Sequence, residues 1–126
     1  MQKLTLTIMT DRFAVCRLEP DAALPDDMAG LPFWSITRTP EELSIVAPED
    51  AVPAGCPVET GWWALKVEDP LDFSLTGILA SLSGPLAEAG ISLFAISTYD
   101  TDYILVKEEN LQASCDVLRR EGHRIK

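Results

Sequence analysis

Ile91-Ser92-Leu93-Phe94-Ala95-Ile96-Ser97-Thr98-Tyr99-Asp100-Thr101-Asp102-Tyr103-Ile104-Leu105-Val106 carries the clearest structural pattern in the chain. Two apolar runs flank a short polar segment, the pattern of a strand, a turn and a second strand. Side chains alternate across a strand, so Ile91, Leu93 and Ala95 share one face and Phe94 and Ile96 the other. A strand apolar on both faces is covered on both faces. Helices of the same unit supply one cover. The first half of the chain or a second chain supplies the other.

Helical patterns stand on either side of this hairpin. Ile78, Leu79, Leu82, Leu86 and Ala89 recur at steps of three and four, which predicts an amphipathic helix over residues 77–89. Pro85 removes one backbone donor inside it and should kink or shorten it. Gly90 is suited to stop it. A second helix is predicted over 109–121, with Leu111, Cys115 and Leu118 on one face. Acids at its start and Arg119 and Arg120 near its end suit the helix dipole. Residues 62–67 form a strand before these elements and 123–126 a short strand after them. The order βαββαβ is that of a ferredoxin-like unit, an antiparallel sheet with two helices on one face.

Shifting the chain by 59 positions against itself aligns three strand-like segments. Residues 44–52 fall on 103–111, each an apolar strand followed by an acidic pair. Leu4, Leu6 and Ile8 fall on Trp63, Leu65 and Val67, and 33–37 fall on 92–96. One fixed offset suggests duplication. The expected organisation is therefore α+β, with two ferredoxin-like modules in tandem, residues 1–60 and 61–126, the first degenerate. In that first half, 13–17 reads as a strand turned back on 3–9 at Asp11-Arg12. Pro20, Pro25 and Pro32 leave room for a short helix near 21–28. Pro53, Gly55 and Pro57 mark 53–61 as a loop and boundary.

Charge and composition narrow the function. The 126 residues are 47% apolar, enough for a packed core, and carry a net charge of −10. Phosphate backbones and anionic lipid repel such a chain, so nucleic acid and membrane are poor partners. No apolar run approaches the roughly 18 residues of a membrane span, and the N-terminus lacks the pattern of a signal peptide. Cys16, Cys56 and Cys115 are isolated and odd in number, which fits reduced packing thiols in the cytosol. His123 is the sole histidine, so a multi-histidine metal site is ruled out; a surface or helix-end role is expected. The sequence lacks both G-x-x-x-x-G-K-[ST] and G-x-G-x-x-G, and nothing predicts a cleft that would set Glu41-Glu42, Glu49-Asp50 or Glu108-Glu109 to acid–base work. No catalytic residue, metal or cofactor is expected.

Trp62-Trp63-Ala64-Leu65-Lys66-Val67, Thr76-Gly77-Ile78-Leu79-Ala80 and the stretch 91–106 together resemble the ACT domain. More narrowly they are similar to small bacterial tandem-ACT proteins, related to the regulatory domains of aspartate kinases and to the cytosolic arginine sensor of animal cells. Residues 96–106 carry the most specific part. The resemblance covers 62–126 well and 1–60 more loosely. It implies a regulatory module that binds a free amino acid where two such domains meet, as a homodimer or between halves of one chain. The implied contacts are Asp72, Phe73, Ser74, Leu75, Thr76, Gly77 and Ile78, with Ile96, Ser97, Thr98, Tyr99, Asp100, Thr101 and Asp102.

Each of these has a plainer reading. A helix N-terminus favours an α-carboxylate, and Gly77 lets a ligand approach the backbone. Asp72, Ser74 or Thr76 can equally be ordinary caps. Asp100 or Asp102 can hold an ammonium group, or simply build a turn. Trp34, Trp62 and Trp63 suit packing better than a ligand wall. An interaction module without ligand, pairing with itself or an unidentified protein, stays open as the alternative, as does an enzyme using Cys115 or His123.

Overall fold

The computed structural model describes residues 3–68 and 77–126. The chain is α+β and divides into two compact units, residues 11–62 and residues 1–10 with 63–126. Its strands are β1 (Thr5–Leu18), β2 (Ser35–Arg38), β3 (Leu43–Pro48), β4 (Val58–Val67), β5 (Leu93–Ser97), β6 (Asp102–Lys107) and β7 (Arg124–Ile125). The helices are α1 (Ile78–Glu88) and α2 (Leu111–Arg120), and 3-10 turns occupy Glu49–Ala51 and Glu108–Asn110. Both β1 and β4 have residues in each unit.

In the unit built from 1–10 and 63–126, the neighbours run β5, β6, β4, β1, with β7 beside β1. The pair β5 and β6 is antiparallel, from Leu93 opposite Val106 to Ser97 opposite Asp102. β7 lies parallel to β1, with Thr5 opposite Arg124 and Leu6 opposite Ile125. The first and last strands of the βαββαβ order, β4 and β7, are thus not paired with each other among the described residues. The N-terminal strand stands between them, and Glu68 N–H donates to the Thr5 carbonyl at 2.8 Å. This differs from a split at residue 60: ten N-terminal residues belong to the C-terminal unit, because Leu4 and Leu6 fill its core.

That core follows strand and helix periodicity. Alternate residues Leu4 and Leu6, Leu65 and Val67, and Ile104 and Val106 face Leu82 and Leu86 of α1 and Cys115 and Leu118 of α2. Burying each such side chain contributes about 1.5–3 kcal/mol. Leu93 and Ala95 pack on the same cluster, while Phe94 and Ile96 are half-buried on the opposite side of β5. α1 runs on past Pro85, so the proline neither ends nor prevents the helix. Gly90, at φ 77°, follows it as the sequence suggests.

The unit of residues 11–62 pairs β2 with β3 and β3 with β1, both antiparallel. Cys16, Leu43, Ile45 and Ala47 form its core, capped by Met28 and by the half-buried Ala22, Leu31, Val52 and Cys56. Phe13 and Phe33 meet edge to face at 5.4 Å, a favoured aromatic geometry.

Three expectations for the first half are corrected. β1 is one continuous strand of 14 residues, not a hairpin turned at Asp11-Arg12. Tight hairpins favour residues at positive φ, and Asp11-Arg12 holds neither glycine nor asparagine. Arg12 instead reaches Glu49, its Nε 3.9 Å from Oε1. No helix forms over 21–28. The Arg38 guanidinium donates to the carbonyls of Pro20 and of Ala22, the latter at 2.7 Å, and Asp27 sits at φ 64°; both oppose a helix. Finally, the loop expected over 53–61 is shorter, since β4 begins at Val58. Glu49 Oε2 accepts the Gly61 N–H at 2.6 Å, giving one of the acids a structural use.

Candidate ligand-binding site

Of the first implied segment, Asp72, Phe73, Ser74, Leu75 and Thr76 lie outside the described residues. Gly77 and Ile78 are described. Gly77 caps α1 in the left-handed conformation, φ 78°, and Ser81 N–H donates to its carbonyl at 2.9 Å. A side chain here would be strained by the backbone alone. No side-chain cap bonds the start of α1 among the described residues.

The second segment is the turn between β5 and β6. Thr98 N–H donates to the Thr101 carbonyl at 2.8 Å, and the Thr98 hydroxyl accepts from Thr101 N–H at 3.2 Å. Ser97 donates to Asp102 Oδ1 at 2.6 Å across the strand pair. The turn chemistry expected of these residue types is therefore present. Tyr99 and Asp100 form the exposed tip, with Tyr99 83% exposed. Ile96 is half-buried. Thr101 is the exception in this polar run. It is buried, and its hydroxyl donates to the Val67 carbonyl at 2.7 Å. That bond ties the turn to the end of β4, the strand end from which the chain leads into residues 69–76.

Trp63 Nε1 donates to Glu108 Oε1 at 3.2 Å. Both Trp62 and Trp63 are half-buried, and Trp34 is 42% exposed. His123 is not the surface group the sequence suggested. It is 4% exposed, and its Nδ1 accepts the Leu4 N–H at 3.1 Å. Burial holds its pKa below 6.5; the Ser81 backbone opposes the shift, nearby Lys3 adds to it and Glu121 opposes it. Among the described residues Nε2 is buried without a partner at full hydrogen-bond geometry, although the Ser81 backbone is close enough to favour a proton there. Nothing in the spacing of a lone histidine could have revealed this.

Two clefts went unnoticed in the sequence. One of about 360 Å³ in the unit of residues 11–62 is lined by Arg17, Glu42, Ser44, Pro57, Val58 and Glu59 among others. Another of about 240 Å³ lies between α1 and α2, at Pro85, Glu88, Val117 and Arg120. Neither includes Gly77, Ile78 or the 96–102 turn. Their charged residues come from separate strands, helices and the Glu42 turn, and no sequence interval announces them.

A family model described as the ACT domain matches residues 58–120, half of the chain. The chain belongs to the ACT domain family. A second model, of an N-terminal domain, matches residues 11–55. This ACT protein is 34% identical over 100 residues to a Bos taurus protein named cytosolic arginine sensor for mTORC1 subunit 1. That match takes in 71% of this chain and 30% of the sensor, so the chain spans under a third of the length of that relative. A crystal structure of a protein from Agrobacterium tumefaciens is similar throughout, with TM-score 0.93 and 36% identity, covering 100% of this chain and 94% of the other. The ligand-free regulatory subunit of aspartate kinase from Thermus thermophilus shares the fold at TM-score 0.64 and 8% identity, covering 95% and 99%. Among the described residues, no helix of this ACT protein is long and apolar enough to cross a membrane, and no cluster of metal-ligating side chains occurs.

Proposed function

We propose that this ACT protein is a non-catalytic regulatory protein that binds a free amino acid. The observation that carries the reading is membership of the ACT family together with likeness to a protein named as an arginine sensor. Amide groups at Gly77 and Ile78, with Asp72, Phe73, Ser74, Leu75 and Thr76 before them, would receive the α-carboxylate. Ile96, Ser97, Thr98, Tyr99, Asp100, Thr101 and Asp102 would form the opposite wall, and Asp100 or Asp102 would pair with a cationic group. The Thr101–Val67 bond supports this, since it fastens that turn to the strand end leading into the first segment. We further propose that the 59-residue repeat reflects two tandem ACT-like modules, 1–60 and 61–126 in sequence, the first degenerate and contributing its residues 1–10 to the unit of the second, acting in the cytosol as a homodimer. Neither nucleic acid nor membrane is a partner in this reading.

Thermal unfolding of the full chain against the twenty amino acids, arginine first, tests it. A ligand at about 100 times its Kd adds about 2.7 kcal/mol to the folded state, a rise of several degrees for a chain of this size. A selective rise supports the sensor; a basic amino acid would point to Asp100 and Asp102. A flat panel removes it.

A second reading is a ligand-free dimerisation or interaction module. The position of β5 favours it, because β5 ends the order of the described strands and offers backbone groups for pairing. A chain that sediments as a monomer at high concentration would defeat self-pairing.

A further inference from the structure

Cys16 lies on β1, buried in the core of the unit of residues 11–62, opposite Ile45 of β3. Cys56 lies in the segment just before β4 and packs half-buried against the same core. A backbone bond holds the two stretches side by side: Arg17 N–H donates to the Pro57 carbonyl at 3.1 Å. Their sulfurs also act on one another. Burial chiefly, then the neighbouring Cys56 thiol, pushes the Cys16 thiol up to about 11. Cys56 meanwhile donates to the Pro53 carbonyl at 3.3 Å. In sequence the two are 40 positions apart and look unrelated. The third cysteine, Cys115, is buried in α2 in the other unit.

We propose that Cys16 and Cys56 form a reversible disulfide when the chain meets a hydroperoxide, making this unit redox-responsive independently of any amino-acid ligand. Cys56 is the more exposed sulfur and reacts first. With hydrogen peroxide, its thiolate attacks one peroxide oxygen, the O–O bond breaks, and hydroxide leaves, taking a proton to become water. The resulting sulfenic acid lies beside Cys16. The Cys16 sulfur attacks the Cys56 sulfur, the S–O bond breaks, and the thiol proton leaves with the hydroxyl as a second water. Two thiols lose two electrons and one hydroperoxide is reduced by two. A dithiol reductant reverses the step by thiol–disulfide exchange. The bond would pin the segment 53–57 to β1 beside the cleft that contains Arg17, Pro57 and Val58. Crosslinks between distant positions restrict the unfolded chain, so a bond that suits the native geometry raises stability. Transient, sensing disulfides of this kind are the sort found in reducing compartments.

The test treats the full native chain with hydrogen peroxide at stoichiometric amounts. Remaining thiols are then blocked with N-ethylmaleimide in denaturant, and peptides are mapped by mass spectrometry without reduction. The expected result is a fall from three alkylated cysteines to one, Cys115, with a linked peptide pair containing Cys16 and Cys56. The thermal midpoint should rise by several degrees and return on adding dithiothreitol. Cys56→Ser should keep both remaining thiols after the same treatment and show no rise. Cys115→Ala should behave like the parent chain. Three thiols retained, Cys56 carried on to sulfinic acid without a link, or a link through Cys115 would each overturn the proposal. So would a linked chain whose midpoint is unchanged or lower.

Discussion

Thr101 shows how one hydroxyl can separate turn chemistry from site construction. Its neighbours in the 96–102 run bond within the hairpin, whereas its own hydroxyl reaches across to the Val67 carbonyl from a buried position. Thr101→Val keeps the shape and removes the donor. A buried acceptor left without its donor costs about 1–3 kcal/mol. Denaturant unfolding should register that loss, and amino-acid binding should weaken with it; an unchanged unfolding midpoint would show the bond to be incidental. His123 carries a different signature. Its folded-state pKa is depressed below 6.5, mainly by burial. The folded state therefore favours the neutral ring, and the unfolded chain takes up a proton first as pH falls. The histidine's contribution is complete above about pH 6.5 and declines as pH drops below it. Protonation of Nδ1 would also set two N–H groups against each other at Leu4. Asn at this position can still accept from Leu4 through its side-chain oxygen but does not titrate. A plot of stability against pH should be flatter for His123→Asn than for the parent chain between pH 5 and about 6.5. Equal slopes would assign acid sensitivity elsewhere.

The helix α1 packs its own irregularity against this histidine. Proline lacks an N–H, so Pro85 leaves the Ser81 carbonyl, four residues earlier, without its helical donor. That backbone is the one that counters the lowering of the His123 pKa. Pro85→Ala should restore the helical bond and stabilise the chain, up to about 3 kcal/mol on the cost of an interior proline. It should also lower the His123 pKa further, since the carbonyl would then be engaged within α1. Proton NMR titration of the single histidine reads this directly, and a rise would refute the coupling. Elements built on strong periodicity were legible in the sequence: α1, α2 and the β5–β6 hairpin fall within a few residues of expectation. β1 was not. Its polar centre, Thr10-Asp11-Arg12, looks like a turn when only local polarity is read. What keeps it extended is non-local, the register from Phe13 opposite Pro48 to Leu18 opposite Leu43 and the reach of Arg12 to Glu49. The missing helix over 21–28 has the same origin, because Arg38 binds the backbone from sixteen and eighteen positions away. The clefts and the buried histidine escaped for this reason also. The turn between β5 and β6 matches the turn reading of residues 97–102, yet its buried link depends on a carbonyl 34 positions distant.

At the scale of the molecule, the strand order makes a demand on where the chain can be cut. A repeat of 59 residues invites division near residue 60, and the βαββαβ order of 61–126 looks complete by itself. It lacks a strand in the middle. β1 separates β4 from β7, and β7 is held by bonds to it alone among the described strands: Arg124 N–H to the Leu4 carbonyl and Lys126 N–H to the Leu6 carbonyl, each 2.8 Å, with Ile8 N–H to Lys126 at 3.1 Å. Leu4 and Leu6 are almost wholly buried. A fragment of 61–126 loses those two side chains, at about 1.5–3 kcal/mol each, and exposes the β4 edge. Such a loss rivals the whole stability of a domain this small. The fragment should therefore be largely unfolded or self-associated by circular dichroism and sedimentation. A synthetic peptide of residues 1–10 added in excess should restore its helical signal, because a separate strand can supply the same edge pairing and the same two leucines. The same peptide with Leu4 and Leu6 changed to serine should not. A fragment that folds cooperatively without the peptide would mean that β4 and β7 can close on each other, and that the N-terminal strand is an addition to the unit and not part of its core.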